Sequence, residues 1–189
     1  MIKHLFIKKH YIFLAFIVLF NFGCVSNTGD IYEGRNNSGR IENFDPVEIR
    51  NRHLDYINAL RQERGLENLQ ISNSLNSSAA THARDIFKQQ RAWNFGSDGS
   101  SPQQRAEISG FEGIVTGENV SETYEGEFLV LQVWLNNSFS RNILLNKEST
   151  HLGLGWYQQE SGKIWWVQVL GYEKYQLLSC KKNRCIFLN

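Results

Sequence analysis

Long apolar runs, cysteine, proline and any excess of charge are all scarce in this chain of 189 residues. The longest nearly unbroken apolar stretch, Tyr11 to Phe20, is about half the roughly 20 residues that a permanent membrane-spanning helix needs. The formal net charge is only +1. Three of the 20 basic residues (Lys3, Lys8 and Lys9) lie at the extreme N-terminus; without them 17 basic residues face 19 acidic ones, a balance of −2. No electrostatic case for nucleic acid survives that balance. There are three cysteines and two prolines, Pro46 and Pro102.

What is present begins with an export signal. Lys3, Lys8 and Lys9 form a basic region ahead of the apolar run, and Asn21-Phe22-Gly23-Cys24 puts a small residue before a cysteine. Residues 1–23 are therefore read as a signal peptide of lipoprotein type, with Cys24 as the candidate lipidation site. Gly23 fits a lipoprotein cleavage box, whereas Asn21 and Phe22 depart from it, so ordinary signal cleavage nearby is the competing reading. Acyl chains on Cys24 would tether the protein to a membrane face without spanning it. Residues 24–44, rich in Asn, Gly, Ser and charge, read as a flexible tether. In an exported chain Cys180 and Cys185, separated by Lys181-Lys182-Asn183-Arg184, favour a disulfide closing a C-terminal turn. Two thiols alone do not complete a tetrahedral metal shell.

Residues 45–189, with 41% hydrophobic and 13% aromatic content in the chain as a whole, suffice for one core. Asp45, Pro46 and Glu48 supply a helix start, and the spacing predicts a helix to about Glu63 with Leu54, Ile57 and Leu60 along one side and Gly65 ending it. Ser72, Asn73 or Ser74 caps a second helix bearing Leu75, Ala79, Ala83 and Ile86, whose alanines suit close packing. Ser101-Pro102-Gln103-Gln104 opens a third helix that ends at Gly110. A fourth is expected over Glu127 to Asn137, with Val130 or Leu131, Trp134 and Leu135 inward. Ile114 to Ser121, His151 to Gln158 and Ile164 to Gly171 read as strands, the last two joined as a hairpin through Gln159-Glu160-Ser161-Gly162-Lys163. These elements predict an α+β fold, a three-layer α-β-α sandwich around a small antiparallel sheet. Trp93, Trp134, Trp156, Trp165 and Trp166 are read mainly as core rather than as a glycan- or lipid-contacting surface. Because Trp165 and Trp166 point to opposite faces of their strand, only one need meet a helix layer.

Five segments in order carry a resemblance. Asn58-Ala59-Leu60-Arg61-Gln62-Glu63-Arg64-Gly65-Leu66, Ala79-Ala80-Thr81-His82-Ala83-Arg84-Asp85, Gly96 to Ala106, Gly117-Glu118-Asn119 and Gly153-Leu154-Gly155 resemble successive motifs of the bacterial CAP superfamily. These are the cysteine-rich secretory, antigen-5 and pathogenesis-related proteins, also called SCP domains. The resemblance spans roughly residues 47–172 and implies a cleft with two histidines and one or two glutamates able to bind a divalent metal. This chain keeps Glu118. The family histidine before the Gly-Ser-Asp-Gly run is replaced by Asn94, and the one six residues after the helix tryptophan by Ser140.

Asn and Ser are poor zinc ligands, so any divalent metal held at Asn94, Glu118 and Ser140 would be weak, and no cofactor is expected. Asn94 and Ser140 are instead expected to hydrogen-bond a buried Glu118. Histidines restored at 94 and 140 should create zinc affinity if the cleft keeps the family geometry. His82 reads as a hydrogen-bonded packing residue. His151, a strand-edge residue, is the one conceivable replacement ligand. Ser140 lacks the sequence context of an activated nucleophile. No catalytic residue and no metal ligand are assigned; Asn94, Glu118, Ser140 and His151 are the cleft candidates for ligand binding.

Two functions follow. The first is an extracytoplasmic binding module, non-enzymatic and anchored to the bacterial cell envelope through Cys24 (or else secreted), that takes an apolar molecule such as a lipid or sterol, or a protein partner. The second is a metal-assisted hydrolase, against which the missing imidazoles count because general-base work near neutral pH is what they supply.

Overall fold

The computed structural model describes residue 41, residues 44–122 and 126–173, and the backbone of 178–181 and 184–187. Every described residue falls in one compact unit, within residues 37–189. The signal segment, Cys24 and most of the tether lie outside the described residues. Ile41, inside the expected tether, is buried in the core and donates its amide to Gln158 Oε1 at 2.9 Å.

Helix α1, Pro46–Gln62, starts where Asp45 accepts the Val47 amide at 2.8 Å, and Gly65 follows it at φ +68°. Its buried stripe is Ile49, His53, Ile57 and Arg61, at a spacing of four; Leu54 and Leu60, expected on the inward side, are only partly buried. Two polar groups lie in that stripe because partners await them. The Arg61 guanidinium donates to the carbonyls of Glu67, Leu144, Asn146 and Ser149 at 2.8 to 3.2 Å. Strand β1, Gln70–Ile71, leads into helix α2, Asn73–Gln89, with Ser72 as its cap.

Helix α3, Pro102–Ile108, carries a full capping box between Ser101 and Gln104. The single helix expected after residue 126 is two: α4, Glu127–Asn136, and α5, Ser138–Leu144. Asn137 is extended and its side chain accepts the Ser140 amide at 3.0 Å, so the chain restarts a helix at a new angle.

Strands β2 (Gly113–Glu122), β3 (His151–Gln158) and β4 (Ile164–Glu173) form antiparallel pairs in a sheet of order β1-β3-β4-β2. The short β1 runs parallel to β3, so the sheet is mixed rather than purely antiparallel. Strands β5 (Leu178–Lys181) and β6 (Arg184–Phe187) form a separate hairpin with Cys180 directly opposite Cys185; their side chains, and so the expected disulfide, lie outside the described residues.

Alternation along β4 builds the layers. Ile164, Trp166 and Leu170 pack with α1, α4 and α5, while Trp165, Val167 and Val169 pack with α2 and α3. Both Trp165 and Trp166 are fully buried, so helices cover both faces where one covered face would have sufficed. The α2 layer sits unusually close to the sheet. A Cβ at Gly155 would lie 2.2 Å from the Ala80 amide nitrogen, and one at Gly153 equally close to the Leu75 carbonyl carbon. Glycine on the strand and alanine on the helix permit that approach.

The outer edge of β2 is closed by side chains. Gln103 pairs with the Gly113 carbonyl and the Val115 amide, Asn94 donates to the Glu118 carbonyl, and the Trp134 indole reaches the Val120 carbonyl. An edge whose backbone groups are already engaged is a poor template for a further strand.

Candidate functional site

Consecutive residues of β2 aim at opposite layers, so Glu118 and Asn119 begin two separate buried polar assemblies. On the α2 and α3 side, the Glu118 carboxylate is almost wholly buried. Arg105 Nη2 lies 2.8 Å from Oε1 and 3.0 Å from Oε2. Asn94 Nδ2 donates to Glu118 Oε1 at 3.1 Å and to the Glu118 carbonyl at 3.0 Å. Two acceptors around that amide fix its nitrogen toward the carboxylate. Burial pushes the Glu118 carboxyl above its ordinary range, and the Arg105 charge and the hydrogen bonds from Arg105 and Asn94 oppose it.

Arg105 is the residue that sequence reasoning missed. It lies beside Ala106 on the inward side of α3, and it also donates to the Asn94 carbonyl at 3.1 Å and the Ser100 carbonyl at 2.6 Å. One guanidinium thus clasps both ends of the loop 94–100 and the carboxylate beneath it. The available signal was physical: a glutamate in an apolar strand needs a cation, and Arg105 is the basic residue of the adjoining capped helix.

His82 completes this side. Its Nε2 donates to the Trp93 carbonyl at 2.9 Å and stands 3.7 Å from Glu118 Oε1. Burial, reinforced by the Arg105 charge, lowers its pKa to about 4. The ring is neutral at ordinary pH with its proton on Nε2, a packing residue as the sequence suggested, though one bordering the carboxylate. Its buried Nδ1 has no hydrogen-bond partner and lies 3.9 Å from Asp85 Oδ2.

On the opposite side, Asn119 Nδ2 donates to Gln168 Oε1 at 3.1 Å, and Gln168 Nε2 reaches His53 Nε2 at 2.6 Å. Burial lowers the His53 pKa to about 4, opposed by the Glu127 backbone, and Trp134 meets the ring edge-on. This relay is neutral throughout.

Of the four cleft candidates, the fold brings together Asn94 and Glu118 only. The expected bond from Ser140 to Glu118 is not formed. Ser140 belongs to the first turn of α5, where its amide donates to Asn137 and its carbonyl accepts Asn119 Nδ2 at 3.3 Å, on the other side of the strand. His151 also stands apart: Nδ1 lies 2.8 Å from Thr150 Oγ1, Nε2 is 3.7 Å from Glu173, and the ring packs on Phe111.

The divalent metal implied by the family resemblance does not fit these donors. Both Glu118 oxygens face a guanidinium, Asn94 presents a donor nitrogen, and His82 spends Nε2 on a carbonyl. Among the described residues no three His, Cys, Asp or Glu side chains gather as a ligand set. A surface depression of about 350 Å³ lies beside the cluster, lined by Asp98, Gly99, Ser100, Gln104, Glu107 and Ile108. Among the described residues no helix is long and apolar enough to cross a membrane.

Comparisons with known proteins bear on the family and the fold. The model of the cysteine-rich secretory protein (CAP) family matches residues 54–170. YkwD of Bacillus subtilis, itself described as uncharacterized, is 30% identical over 118 residues, covering 62% of this chain and 45% of the relative. YlbC of the same organism, described as an uncharacterized membrane protein, is 28% identical over 116 residues, covering 59% of this chain and 34% of the relative. The chain therefore spans less than half the length of either curated relative. Among solved structures, an outer surface protein of Borrelia burgdorferi superposes with a TM-score of 0.63 at 21% identity, covering 69% of this chain and 97% of that one. An extracellular SCP-domain protein of Bacillus anthracis gives a TM-score of 0.58 at 22% identity, covering 69% and 44%.

Proposed function

This chain belongs to the cysteine-rich secretory protein (CAP) family, and from that premise we propose that it is a non-enzymatic binding module of the bacterial cell envelope. Its leader and Cys24 tether it outside the cytoplasm, and its CAP domain takes an apolar small molecule such as a lipid, or a protein partner. The observation that carries the non-enzymatic reading is the state of Glu118: the cleft carboxylate is buried in an ion pair with Arg105 and carries no imidazole positioned as a base or metal ligand. A carboxylate so engaged supports the loop above it instead of activating water. The names of the structural neighbours, an outer surface protein and an extracellular protein, support a position outside the cytoplasm. Cys180 and Cys185 are register partners in the backbone of β5 and β6, which supports the C-terminal disulfide.

Native mass spectrometry of the protein purified from an export-competent host without added metal tests the ligand. A retained apolar molecule identifies its class, and a bare mass shifts the reading to a protein partner. Metabolic labelling with a fatty-acid analogue tests the anchor; labelling unchanged in Cys24→Ser removes it.

A further inference from the structure

The end of α2 carries a surface that the Glu118 cluster does not use. Arg84 and Lys88 lie four residues apart on the exposed side of the helix, and Arg91 follows immediately after the left-handed Gln90. All three are exposed, and among the described residues none is held in a salt bridge. The one acid of this stretch, Asp85, is turned away into the loop: it accepts the Ser97 amide at 2.8 Å, the Ser97 hydroxyl at 2.5 Å and Gln89 Nε2 at 2.9 Å. In a chain whose overall charge is close to zero, this is a local concentration of unneutralised cations.

Aromatic rings continue the same surface. The Arg91 guanidinium stacks 4.0 Å from the Trp93 ring, and Trp93 lies 5.1 Å from Phe95, which is 60% exposed. The ladder is built, not loose: Trp93 Nε1 donates to Gln89 Oε1 at 2.8 Å, and Gln89 Nε2 donates to the Phe95 carbonyl at 3.1 Å. Pull of a helix C-terminus on cations accounts for Lys88, but it does not account for a rigid indole and an exposed phenyl beside them.

We propose that this face, Arg84, Lys88, Arg91, Trp93 and Phe95, docks the domain onto an anionic phospholipid surface. Guanidinium and ammonium groups match lipid phosphates, while the exposed Phe95 phenyl with the half-buried Trp93 indole beside it suits the headgroup boundary. The choice of a membrane over other polyanions rests on the tethering through Cys24 proposed above. A tether alone leaves the domain free to tumble, whereas this face gives it one orientation.

Hydrogen exchange of the full chain, purified from host membranes, decides it. Vesicles of phosphatidylcholine alone are compared with vesicles that also contain phosphatidylglycerol. Amides of residues 90–96 should exchange more slowly only on the anionic vesicles. The Arg84→Gln, Lys88→Gln, Arg91→Gln variant should lose that protection, with affinity falling roughly fivefold per cation removed, and Phe95→Ser should weaken it. Equal exchange on both vesicle types overturns the proposal, as does equal slowing by a short DNA duplex, which would mark a general polyanion site. Attachment is read separately by flotation of the Cys24→Ser chain. Loss of the anchor is thus distinguishable from loss of docking, because vesicles added in excess still report on residues 90–96 of an unattached chain.

Discussion

Glu118 and Asn119 are neighbours in one strand, yet the assemblies they anchor solve the same problem in opposite ways. Toward α2 and α3, a buried charge is neutralised by a buried charge, Arg105, with Asn94 and His82 packed around the pair. Toward α1 and α5, amide and imidazole groups are linked in a chain with no charge at all, and Asn119 Oδ1 and His53 Nδ1 remain without partners. The charged assembly lies under a surface loop and ties it down; the neutral one lies between the sheet and core helices and holds no loop. Charge is kept where a loop must be held, and avoided where packing already holds everything.

Removing one partner of the ion pair should break that contrast most strongly. Arg105→Met leaves Glu118 buried without its cation, and the expected loss is about 3–5 kcal/mol in chemical denaturation. Adding Glu118→Gln to Arg105→Met should recover most of it. A single variant as stable as the double would show that Glu118 carries no stranded charge once Arg105 is gone.

The neutral relay should respond less. Gln168→Leu strands the Asn119 amide and His53, at a cost of about 1–3 kcal/mol. A loss as large as that of Arg105→Met would show that the two assemblies are energetically alike.

The two histidines should make stability depend on acid. Each has a folded pKa of about 4, below its unfolded value. The unfolded chain therefore takes up protons first, so their contribution is complete above about pH 6.5 and falls as the pH drops toward 4, by at most roughly 1.4 kcal/mol per pH unit per histidine. Glu118, shifted upward, acts with the opposite sign as the pH rises through its folded value. His53→Gln and His82→Gln should each flatten the acid side of a pH–stability curve; an unchanged slope in either would mean that its ring is already accessible to protons.

The smallest effect expected is in metal binding. Asn94→His with Ser140→His should give no zinc affinity above wild type by calorimetry, because Glu118 remains with Arg105 and Ser140 faces the Asn119 side. A clear gain would show that positions 94 and 140 converge after all.

Much of this architecture was legible in local residue chemistry. The caps at Asp45 and Ser101, the span of β3 and the β3–β4 hairpin follow from patterns within a few residues, and the structure reproduces them; among Ser72, Asn73 and Ser74 it selects Ser72. Alternation in Trp165 and Trp166 likewise implied two faces, though not that both would be buried. The break at Asn137 was not legible, because the same amide can continue a helix or cap the next, and packing of Trp134 and Ile143 into one core decides between them. The site shows the same division. That Glu118 and Asn94 share a cleft was what the family resemblance implied. That Arg105 would reach across from α3, that Ser140 would turn to Asn119, and that His151 would pair with Thr150 could not. Local sequence determined the first three helices, the turns and the family, since caps, periodicity and glycine act over a few residues. Only the tertiary structure decided which polar side chains share a buried site, because a buried charge takes its partner from whatever the folded chain brings within hydrogen-bonding distance, however far apart in sequence the two stand.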